Sequence, residues 1–495
     1  MISQGSRAGM AVTGILLAAI IWALGMSASA ASAAGHTVKS GPLTAKVGKG
    51  SWSFSLNERG RGRILSERGG TGTDGVGRIG IRNDDGKWHR ATRVVRQWKR
   101  GHVSVSLVKL KGTTKQLRIE VAPGRKGIMR LKAKLVGSPE GVEGIGMGFG
   151  ARNGERYMGF GERSNAVDQR GREVENWVGE GPYQPRESGF IKGFVPPWSV
   201  RAKPDDTYFP MPWMLSSRGY GVLARETRPV YYRLGDDRAD TWSVEVARTV
   251  PGLEQQPDDR PSPTQLRLNF YAGPTPARTL SRLTRAIGRQ PDPAPWFLGP
   301  WVQAHGGDRA TVDRLQQADI PSSVTQTYAH YLPCGQSINH ADEIKRAGLY
   351  HENGMAVTTY FNPMICTNWN PKYDELAAAG ALTMNREGEP YVYKYMNYTV
   401  GQFDFSSPAG RAAYGELLRE ALSHGYDGWM EDFGEYDPPD GISADGVAGM
   451  ISHNRYPRDY HCTARDEVAS NPLPALRYVR SGYTGSAACS PVVWG

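Results

Sequence analysis

Four acidic side chains are concentrated in residues 426–436, namely Asp427, Glu431, Asp432 and Glu435, and a short apolar run separates the first from the others. An apolar run that ends in acids is typical of a buried strand that delivers carboxylates to a cleft, where they act as nucleophiles or as general acids and bases. Because side chains alternate along a strand, Glu431 and Asp432 point to opposite sides, and only one of them can face the cleft. The pattern alone does not rank the four acids, although Asp432 at the end of the run is the first candidate.

The segment before this run must position it. Apolar residues recur at helical spacing from Ser407 to His424, Pro408 follows a serine that can cap the helix, and Gly425 then ends it. A helix followed by a buried strand is one unit of an α/β barrel or of a doubly wound sheet. Ligands bind at the carboxyl ends of the strands in both folds, so this arrangement also favours Asp432.

Composition limits the classes of protein to consider. A chain of 495 residues predicts two or three domains, and its apolar fraction of 39% is compatible with a soluble globular protein. The formal net charge of +11 comes from Lys and Arg interleaved with apolar residues, as in residues 130–135, which is typical of a solvated sheet face. No long basic block occurs, so we expect no nucleic-acid partner.

The N-terminus resembles a targeting segment. Arg7 precedes an apolar stretch at residues 10–24, and the small residues Ala28-Ser29-Ala30 follow it. We interpret residues 1–33 as a secretory signal peptide, which predicts a secreted, extracellular protein with no other membrane association. The alternative is a retained membrane anchor.

The cysteines number four, Cys334, Cys366, Cys462 and Cys489, and an even number in an exported chain favours disulfides. Four cysteines allow three connectivities. Because Cys334 and Cys366 each closely follow an apolar run, both can lie in loops on the same rim, and this pairing is the first one predicted. Neither the cysteines nor the histidines show the spacing of a metal site, so we predict no metal and no cofactor.

The hydrophobic periodicity changes along the chain. Residues 41–272 consist of short alternating runs broken by Gly, Asn and Asp, which predicts an antiparallel β-sandwich. A helix and a Pro-rich linker follow at residues 273–295. In residues 296–495 strand-like runs alternate with helical ones, which predicts a parallel (β/α)8 TIM barrel. Only five strands and the start of a sixth are present, so the predicted barrel is incomplete.

Several separated motifs make the chain recognisable. The run Tyr-Met-Gly-Phe-Gly-Glu at residues 157–162 resembles the Tyr-Gly-Phe-Gly-Glu of glycoside hydrolase family 31, the retaining α-glycosidases that include α-glucosidases, α-xylosidases and sulfoquinovosidases. Further motifs resemble this family in the same order along the chain: residues 208–223, 295–299, 403–408, 426–436, 453–457 and 480–483. The resemblance therefore extends from the predicted sandwich to the last residues of the sequence.

The resemblance implies roles for individual residues. Asp432 would be the catalytic nucleophile, with Glu435 as a supporting acid and Arg480 bonding sugar hydroxyls and the nucleophile. His453 would be structural. The family's acid/base aspartate lies at the end of the sixth barrel strand, which here places it just beyond Gly495, so we expect the sequence to be C-terminally truncated. The other expected sugar-binding residues are Glu162, Trp301, Tyr328, His330 and Trp429.

The sequence departs from the family's best-known members after the second barrel strand. Classical α-glucosidases carry acidic residues there, whereas this chain has Gln326-Thr327-Tyr328-Ala329-His330-Tyr331. Sulfoquinovosidases place Arg and Trp nearby, and neither occurs in residues 322–339. The sugar therefore stays open, and we predict that Tyr328 or His330 contacts it.

The hypothesis that follows is a secreted retaining α-glycosidase that acts on a carbohydrate by double displacement. An α-transglycosylase would have the same residues, and a non-catalytic carbohydrate-binding or wall-associated relative is the alternative from another class. A protein kinase is excluded, because Asp432-Phe433-Gly434 is not accompanied by a Gly-rich phosphate loop or a His-Arg-Asp catalytic loop.

Overall fold

The computed structural model of the chain describes residues 35–69, 76–335, 338–469 and 475–494. The predicted signal peptide at residues 1–33 lies outside the described residues. Within the described ranges, no helix combines the length and the apolar character needed to cross a membrane.

The N-terminal half is an antiparallel β domain made of two sheets. One sheet has the order β1-β2-β3-β4, and the other has the order β11-β13-β14-β17-β9-β8-β7-β6-β5-β10-β16-β15-β12. The strands are β1 (His36–Ser40), β2 (Leu43–Val47), β3 (Phe54–Glu58), β4 (Gly62–Ser66), β5 (Gly80–Asn83), β6 (Trp88–Arg100), β7 (Val103–Leu110), β8 (Gln116–Pro123), β9 (Ile128–Val136), β10 (Val142–Gly150), β11 (Tyr157–Gly161), β12 (Glu173–Asn176), β13 (Pro210–Ser216), β14 (Tyr220–Ala224), β15 (Val230–Leu234), β16 (Thr241–Ala247) and β17 (Gln265–Ala272). The predicted antiparallel fold is confirmed.

Alternation of side chains explains how this domain forms its core. Along β9 the apolar residues Leu131, Ala133 and Leu135 are buried, while the lysines at 132 and 134 are exposed. The strand pairs with β8 in a register that places Ile119 opposite Ala133, so the apolar side chains of both strands share one face. The interleaved basic residues therefore lie on a solvated sheet face, as predicted.

Two helices accompany the sheets, α1 (Pro185–Ile191) and α2 (Pro276–Ile287). The side chain of Thr275 caps α2 by accepting a hydrogen bond from the amide of Arg278, and a proline occupies the first turn. Helix α2 lies within the segment predicted as helix and linker, and a 3-10 helix at Pro295–Leu298 leads from it into the second domain.

The C-terminal half is a TIM-barrel-type domain built on a parallel sheet of order β18-β19-β20-β24-β25-β26. These strands are β18 (Trp301–Gln303), β19 (Val324–Gln326), β20 (Ala356–Phe361), β24 (Gly428–Glu431), β25 (Leu476–Val479) and β26 (Val492–Val493). The helices of this half are α3 (Asp308–Gln317), α4 (His340–Glu352), α5 (Lys372–Ala378), α6 (Pro408–Ser423), α7 (Gly449–Ser452) and α8 (Tyr456–Ala469). The predicted parallel pairing of the strands is confirmed.

A small antiparallel sheet interrupts the barrel between β20 and α6. It contains β21 (Met364–Cys366), β22 (Val392–Tyr395) and β23 (Tyr398–Gln402) in the order β21-β23-β22. The sequence pattern does not predict this sheet, because strands of three to five residues offer too few positions for an alternating pattern to be recognised.

The unit formed by α6 and β24 matches its prediction. The Ser407 side chain accepts hydrogen bonds from the amides of Ala409 and Gly410, which caps the helix, and Gly425 follows the helix end with a φ of 89°. Buried residues of α6, such as Tyr414 and Leu418, belong to the same apolar core as Trp429 of β24. Packing of this helix on the sheet therefore fixes the position of the strand.

Two disulfides lie within the barrel domain. Cys334 bonds Cys366, which confirms the first predicted pairing, and Cys462 bonds Cys489. The first disulfide joins the loop after β19 to β21, and the second joins α8 to the 3-10 helix at Ser486–Cys489.

Candidate active site

The two faces of β24 separate the acidic residues, as side-chain alternation predicts. Glu431 and Trp429 point toward the helices, where Glu431 contacts His461 of α8 and Trp429 packs edge-on against Phe361. Met430 and Asp432 instead line the cleft inside the barrel. Asp432 is therefore the carboxylate that the strand delivers to the cleft.

Asp432 is buried, and its carboxylate has three polar neighbours. The Nε of Arg480 lies 2.9 Å from Oδ1, the amide of Phe433 donates to Oδ1 at 2.9 Å, and the hydroxyl of Tyr360 donates to Oδ2. Burial raises the pKa of Asp432 above its ordinary value, and the nearby Arg480 opposes this shift. These contacts hold an ionisable carboxylate in a fixed orientation at the end of the strand.

The backbone turn after Asp432 is unusual. Phe433 has a φ of 60°, a conformation that costs a non-glycine residue energy, and Gly434 follows with a φ of 104°. A Cβ atom on Gly434 would lie 2.4 Å from the Oγ of Ser481, so only glycine fits at this position. The Ser481 hydroxyl in turn donates to the Phe433 carbonyl, which ties the turn to the residues after β25.

Arg480 connects three carboxylates. Besides Asp432, its guanidinium contacts Glu435 through Nη2 and lies 3.9 Å from Glu180 through Nη1. The guanidinium carbon also lies over the rings of Phe433, at 4.2 Å, and Tyr208, at 4.8 Å. Burial alone would lower the pKa of Arg480, but the three carboxylates outweigh it and hold that pKa well above its ordinary value.

Glu435 is the fully buried acid of this group. Burial raises the pKa of its carboxyl, Arg480 opposes that shift, and the charges of Glu180 and Asp432 add to it. Because Arg480 is a single cation among three acids, the site holds more negative than positive charge when all the acids are ionised. Such a site favours a substrate carbon that becomes positive in the transition state.

Glu180 was missed by the sequence analysis and comes from the β domain. It lies in the connection between β12 and β13, where its carboxylate accepts hydrogen bonds from the hydroxyls of Tyr436 at 2.5 Å and Tyr183 at 3.2 Å. An acid in a Gly- and Pro-containing loop carries no local signal of function. Only the contact between the two domains brings Glu180 to Arg480.

The motif at residues 453–457 explains how that connection is held in place. The amide of Val178 donates to the side chain of Asn454 at 2.8 Å, and Asn454 donates to the carbonyl of Asn176 at 3.2 Å. His453 stacks on Trp177 with ring centroids 4.0 Å apart. His453 is fully buried at this junction, which supports the structural role expected for it.

The cleft in front of Asp432 has a volume of about 660 Å³. Its lining is mostly aromatic, and it includes two of the predicted sugar-binding residues, Trp301 and Tyr328, together with Tyr360 and Tyr478. Aromatic faces provide platforms on which the apolar faces of sugar rings can pack. The cleft therefore combines the volume of a small ligand site with a carboxylate at its end.

Two other predicted sugar-binding residues, Trp429 and His330, do not line this cleft. Trp429 is fully buried on the helix-facing side of β24, because it shares the orientation of Glu431 and donates to that carboxylate at 3.1 Å. His330 follows Tyr328 by two residues, but the loop turns between them and His330 lines a different cavity, beside Phe361.

Glu162 is positioned by the β domain. It follows β11 in the β domain, where its backbone amide donates to the Phe209 carbonyl at 2.9 Å. Its side chain is partly buried, and burial raises the pKa of the carboxyl. Since Phe209 packs against Gly482, Glu162 is near the domain junction, and contact with a sugar stays a prediction.

Two family models match the chain. The model described as the glycosyl hydrolases family 31 TIM-barrel domain matches residues 291–495, and the glycosyl hydrolase 31 N-terminal galactose mutarotase-like domain matches residues 28–232. The two models divide the chain as the structure does, into a β domain and a barrel domain.

Curated relatives include enzymes with different substrates. A sulfoquinovosidase of Agrobacterium fabrum is 26% identical over 402 residues, covering 76% of this chain and 58% of the relative. The α-xylosidase XylQ of Lactiplantibacillus pentosus is 24% identical over 324 residues, covering 62% of this chain and 38% of the relative. The chain thus spans about half the length of these relatives.

Solved structures share the fold. A family 31 sulfoquinovosidase from E. rectale in complex with an aza-sugar inhibitor has a TM-score of 0.67 at 16% identity, covering 93% of this chain and 64% of that one. The cycloalternan-forming enzyme from Listeria monocytogenes, in complex with a pentasaccharide substrate, has a TM-score of 0.59 at 16% identity, covering 92% and 44%.

Proposed function

Because the chain belongs to glycoside hydrolase family 31, we propose that it acts as a retaining α-glycosidase with Asp432 as its nucleophile. The observation that carries this proposal is the position of Asp432, which the sheet delivers to an aromatic cleft and which Arg480 and Tyr360 hold in one orientation. A carboxylate held in this way is the group that double displacement requires.

The reaction has two steps. In the first, a carboxylate oxygen of Asp432 bonds to the anomeric carbon, the glycosidic C–O bond breaks, and the leaving oxygen takes a proton from a carboxylic acid. In the second, water attacks the anomeric carbon, the bond to Asp432 breaks, and the acid recovers its proton from that water. Two inversions at the same carbon retain the α configuration.

The proton donor is part of the proposal. By resemblance to the family, we take this donor to be a second carboxylic acid of the barrel domain. For retention its carboxyl group must lie about 5–5.5 Å from that of Asp432. If no carboxylic acid of the full-length protein meets this distance, the non-catalytic alternative is favoured.

A direct test traps the covalent intermediate. The product of the complete reading frame is incubated with a panel of aryl α-glycosides, and then with a fluorinated analogue of the sugar that reacts best. We expect an α-configured first product and a peptide containing Asp432 whose mass has increased by one glycosyl group. A β-configured product, or a label on another carboxylate, would overturn the assignment.

Transglycosylation is the second candidate function. An isomaltosyltransferase of Sporosarcina globispora is 22% identical over 392 residues, and the Listeria cycloalternan-forming enzyme shares the fold. Both activities use the same covalent intermediate and differ in whether water or a sugar hydroxyl attacks it. Product analysis with added acceptor sugars distinguishes them, since a transglycosylase would form longer saccharides at the expense of hydrolysis.

We also propose that the protein is secreted. Residues 1–33 have the composition of a signal peptide, and all four cysteines are in disulfides, which form in oxidising compartments. N-terminal sequencing of the protein from the culture medium should give a start near residue 34. Recovery only from the membrane fraction with residues 1–33 intact would favour the retained anchor.

A further inference from the structure

A group of histidine and glutamate side chains lies where α4 begins and α6 ends. His340 is the first residue of α4, while Glu420 lies in the last turn of α6 and His424 directly follows that helix. The Nδ1 of His340 is 2.5 Å from the Nε2 of His424, and the Nε2 of His340 is 4.0 Å from the Oε1 of Glu420. One possible ligand atom from each of the three residues lies within 4.8 Å of the others.

A second observation at this place concerns His330. It lines, together with His340 and Glu420, a cavity of about 510 Å³. Its side chain is 94% buried, since only 6% of the residue is exposed, and its Nδ1 lies 2.9 Å from the Thr359 hydroxyl. The Nε2 of His330 is buried and has no hydrogen-bond partner among the described residues, and the same is true of the Nδ1 of His424.

Buried imidazole nitrogens without partners are costly, so they call for an explanation. The ring of His330 stacks on that of His424 with centroids 5.7 Å apart, so the two rings with unpartnered nitrogens are neighbours. The Nδ1 of His330 is fixed by its contact with Thr359, so its Nε2 is the ring nitrogen that is available to a ligand of this cavity.

We propose that His340, Glu420 and His424 bind a divalent transition-metal ion, with zinc as the best match. Two imidazoles and one carboxylate are a common zinc donor set, whereas magnesium and calcium prefer ligands that are all oxygen. A fourth, water position of a tetrahedral ion would face the cavity, where the water can donate to the Nε2 of His330.

The geometry allows this ion with a small adjustment. Zinc–nitrogen bonds of about 2.0–2.1 Å in a tetrahedron place two ligand nitrogens about 3.3 Å apart, so His340 and His424 must separate by less than about 1 Å. The side chain of His340 is 66% exposed and can make this movement. His424 is buried and keeps its place at the end of α6.

The proposed metal site is separate from the cleft at Asp432, but one loop reaches both. The segment after β19 places Tyr328 in the cleft and His330 at the metal cavity, and the disulfide from Cys334 holds its far end. An ion that joins α4 to α6 at this cavity would stabilise the loop that carries Tyr328. The inference does not depend on the proposed glycosidase activity.

The sequence analysis predicted no metal ligands because the residues are distant along the chain. The local pattern is limited to Glu420 and His424, which are four residues apart and therefore on the same side of α6. The contact between α4 and α6 supplies His340, and no sequence spacing reveals that contact.

The test measures zinc binding by the full chain after treatment with a chelator. Zinc is titrated in competition with a chromophoric chelator, and magnesium and calcium are titrated in parallel. We expect one equivalent of zinc to bind at micromolar or lower concentration, with no comparable binding of the other two ions. His340→Ala and Glu420→Gln should each weaken zinc binding at least tenfold.

Two matched controls lie on the same helices. His351→Ala removes another histidine from α4, and Glu416→Gln neutralises a glutamate one turn from Glu420 on α6. Both variants should bind zinc as the wild-type chain does. Zinc should raise the Tm of the wild type and of both controls, and it should not raise the Tm of His340→Ala or Glu420→Gln, since a ligand stabilises only the state that binds it.

The spectrum of bound cobalt gives an independent readout, because a tetrahedral site with nitrogen ligands produces intense visible absorption. Absence of stoichiometric zinc uptake by the wild type would overturn the proposal. So would wild-type affinity in both His340→Ala and Glu420→Gln, or an equal loss in the controls. The exposed His340 side chain makes His340→Ala a variant that we expect to fold, and circular dichroism checks this.

Discussion

Glu431 and Asp432 are neighbouring carboxylates of one strand in very different surroundings. Glu431 is fully buried between His461, at 2.6 Å, and Arg477, at 3.0 Å, and both cation-forming partners lie on the helix-facing side. Burial alone would raise the pKa of Glu431, but these partners outweigh it and lower that pKa. Asp432 faces the cleft, and there burial prevails and the pKa of its carboxyl is raised.

The difference shows how one strand supplies an acid that stabilises the fold, Glu431, and an acid that is available for chemistry, Asp432. The partners of Glu431 belong to α8 and β25, so its charge connects elements of the fold. Asp432 shares its main cation, Arg480, with Glu435 and Glu180. Its charge is therefore less fully compensated, which suits a group that must form and break a bond.

The largest expected effect is on activity, after Asp432→Asn. An amide cannot form the glycosyl ester, so we expect kcat/KM on the best aryl α-glycoside to fall by at least about 10³-fold with little change in Tm. Asp427→Asn is the control, because it makes the same change at the start of the strand, where Asp427 bonds His351 and the Val357 amide. Substantial activity in Asp432→Asn would disprove the role of Asp432.

The next effect is on stability, after Glu431→Gln. Removing this charge leaves Arg477 buried without its counter-charge, which should lower the free energy of unfolding of the barrel domain by about 3–5 kcal/mol. Urea unfolding followed by circular dichroism measures this. Glu416→Gln on the surface should change it by less than about 0.5 kcal/mol. If both variants are equally stable, Glu431 does not have the structural role inferred from its contacts.

Arg480→Lys should have an intermediate effect on activity. A lysine keeps the charge but has one ammonium group in place of the fork that reaches both Asp432 and Glu435. Loss of a hydrogen bond between charged groups costs about 1.5–3 kcal/mol, so kcat/KM should fall about 10- to 100-fold. Arg477→Lys should instead lower Tm and leave the activity per folded molecule nearly unchanged. If Arg477→Lys lowered the activity and Arg480→Lys lowered only Tm, the roles assigned to the two faces of β24 would have to be exchanged.

Tyr360→Phe should have the smallest effect, a shift in pH dependence. The Tyr360 hydroxyl donates to Asp432 and favours its ionised form, so its removal should raise the pKa of Asp432 further. Since the nucleophile must be ionised, the acid limb of kcat/KM against pH should move to higher pH by about one unit. Tyr478→Phe, which changes another tyrosine of the cleft, should leave the limb in place. An unshifted limb in Tyr360→Phe would contradict the contact.

Much of the barrel was predictable from local pattern. The helix at residues 407–424 and the strand after it follow from apolar spacing, a capping serine and Gly425, and these signals depend on neighbouring residues only. The same holds for the opposite orientations of the Glu431 and Asp432 side chains, because successive side chains of any strand point to opposite faces. The small sheet of β21, β22 and β23 was not predicted, because its strands are too short to show a pattern.

The sites were predictable only in part. Family motifs and strand alternation identified Asp432, with Arg480 and Glu435 beside it. Trp429 was expected at the sugar site from the family resemblance, and His330 from its position after the second barrel strand. The structure places them elsewhere, since one residue of displacement along a strand, or one turn of a loop, directs a side chain to a different compartment.

The sequence by itself determined the two-domain order, the parallel sheet and the acid that the sheet presents, because these depend on the spacing of residues along the chain. The tertiary structure decided which distant groups surround that acid. Glu180 reaches Arg480 from the β domain, and His340 meets His424 where two helices pack. Contacts of this kind arise from the packing of complete elements and domains, so the spacing of nearby residues along the chain does not predict them.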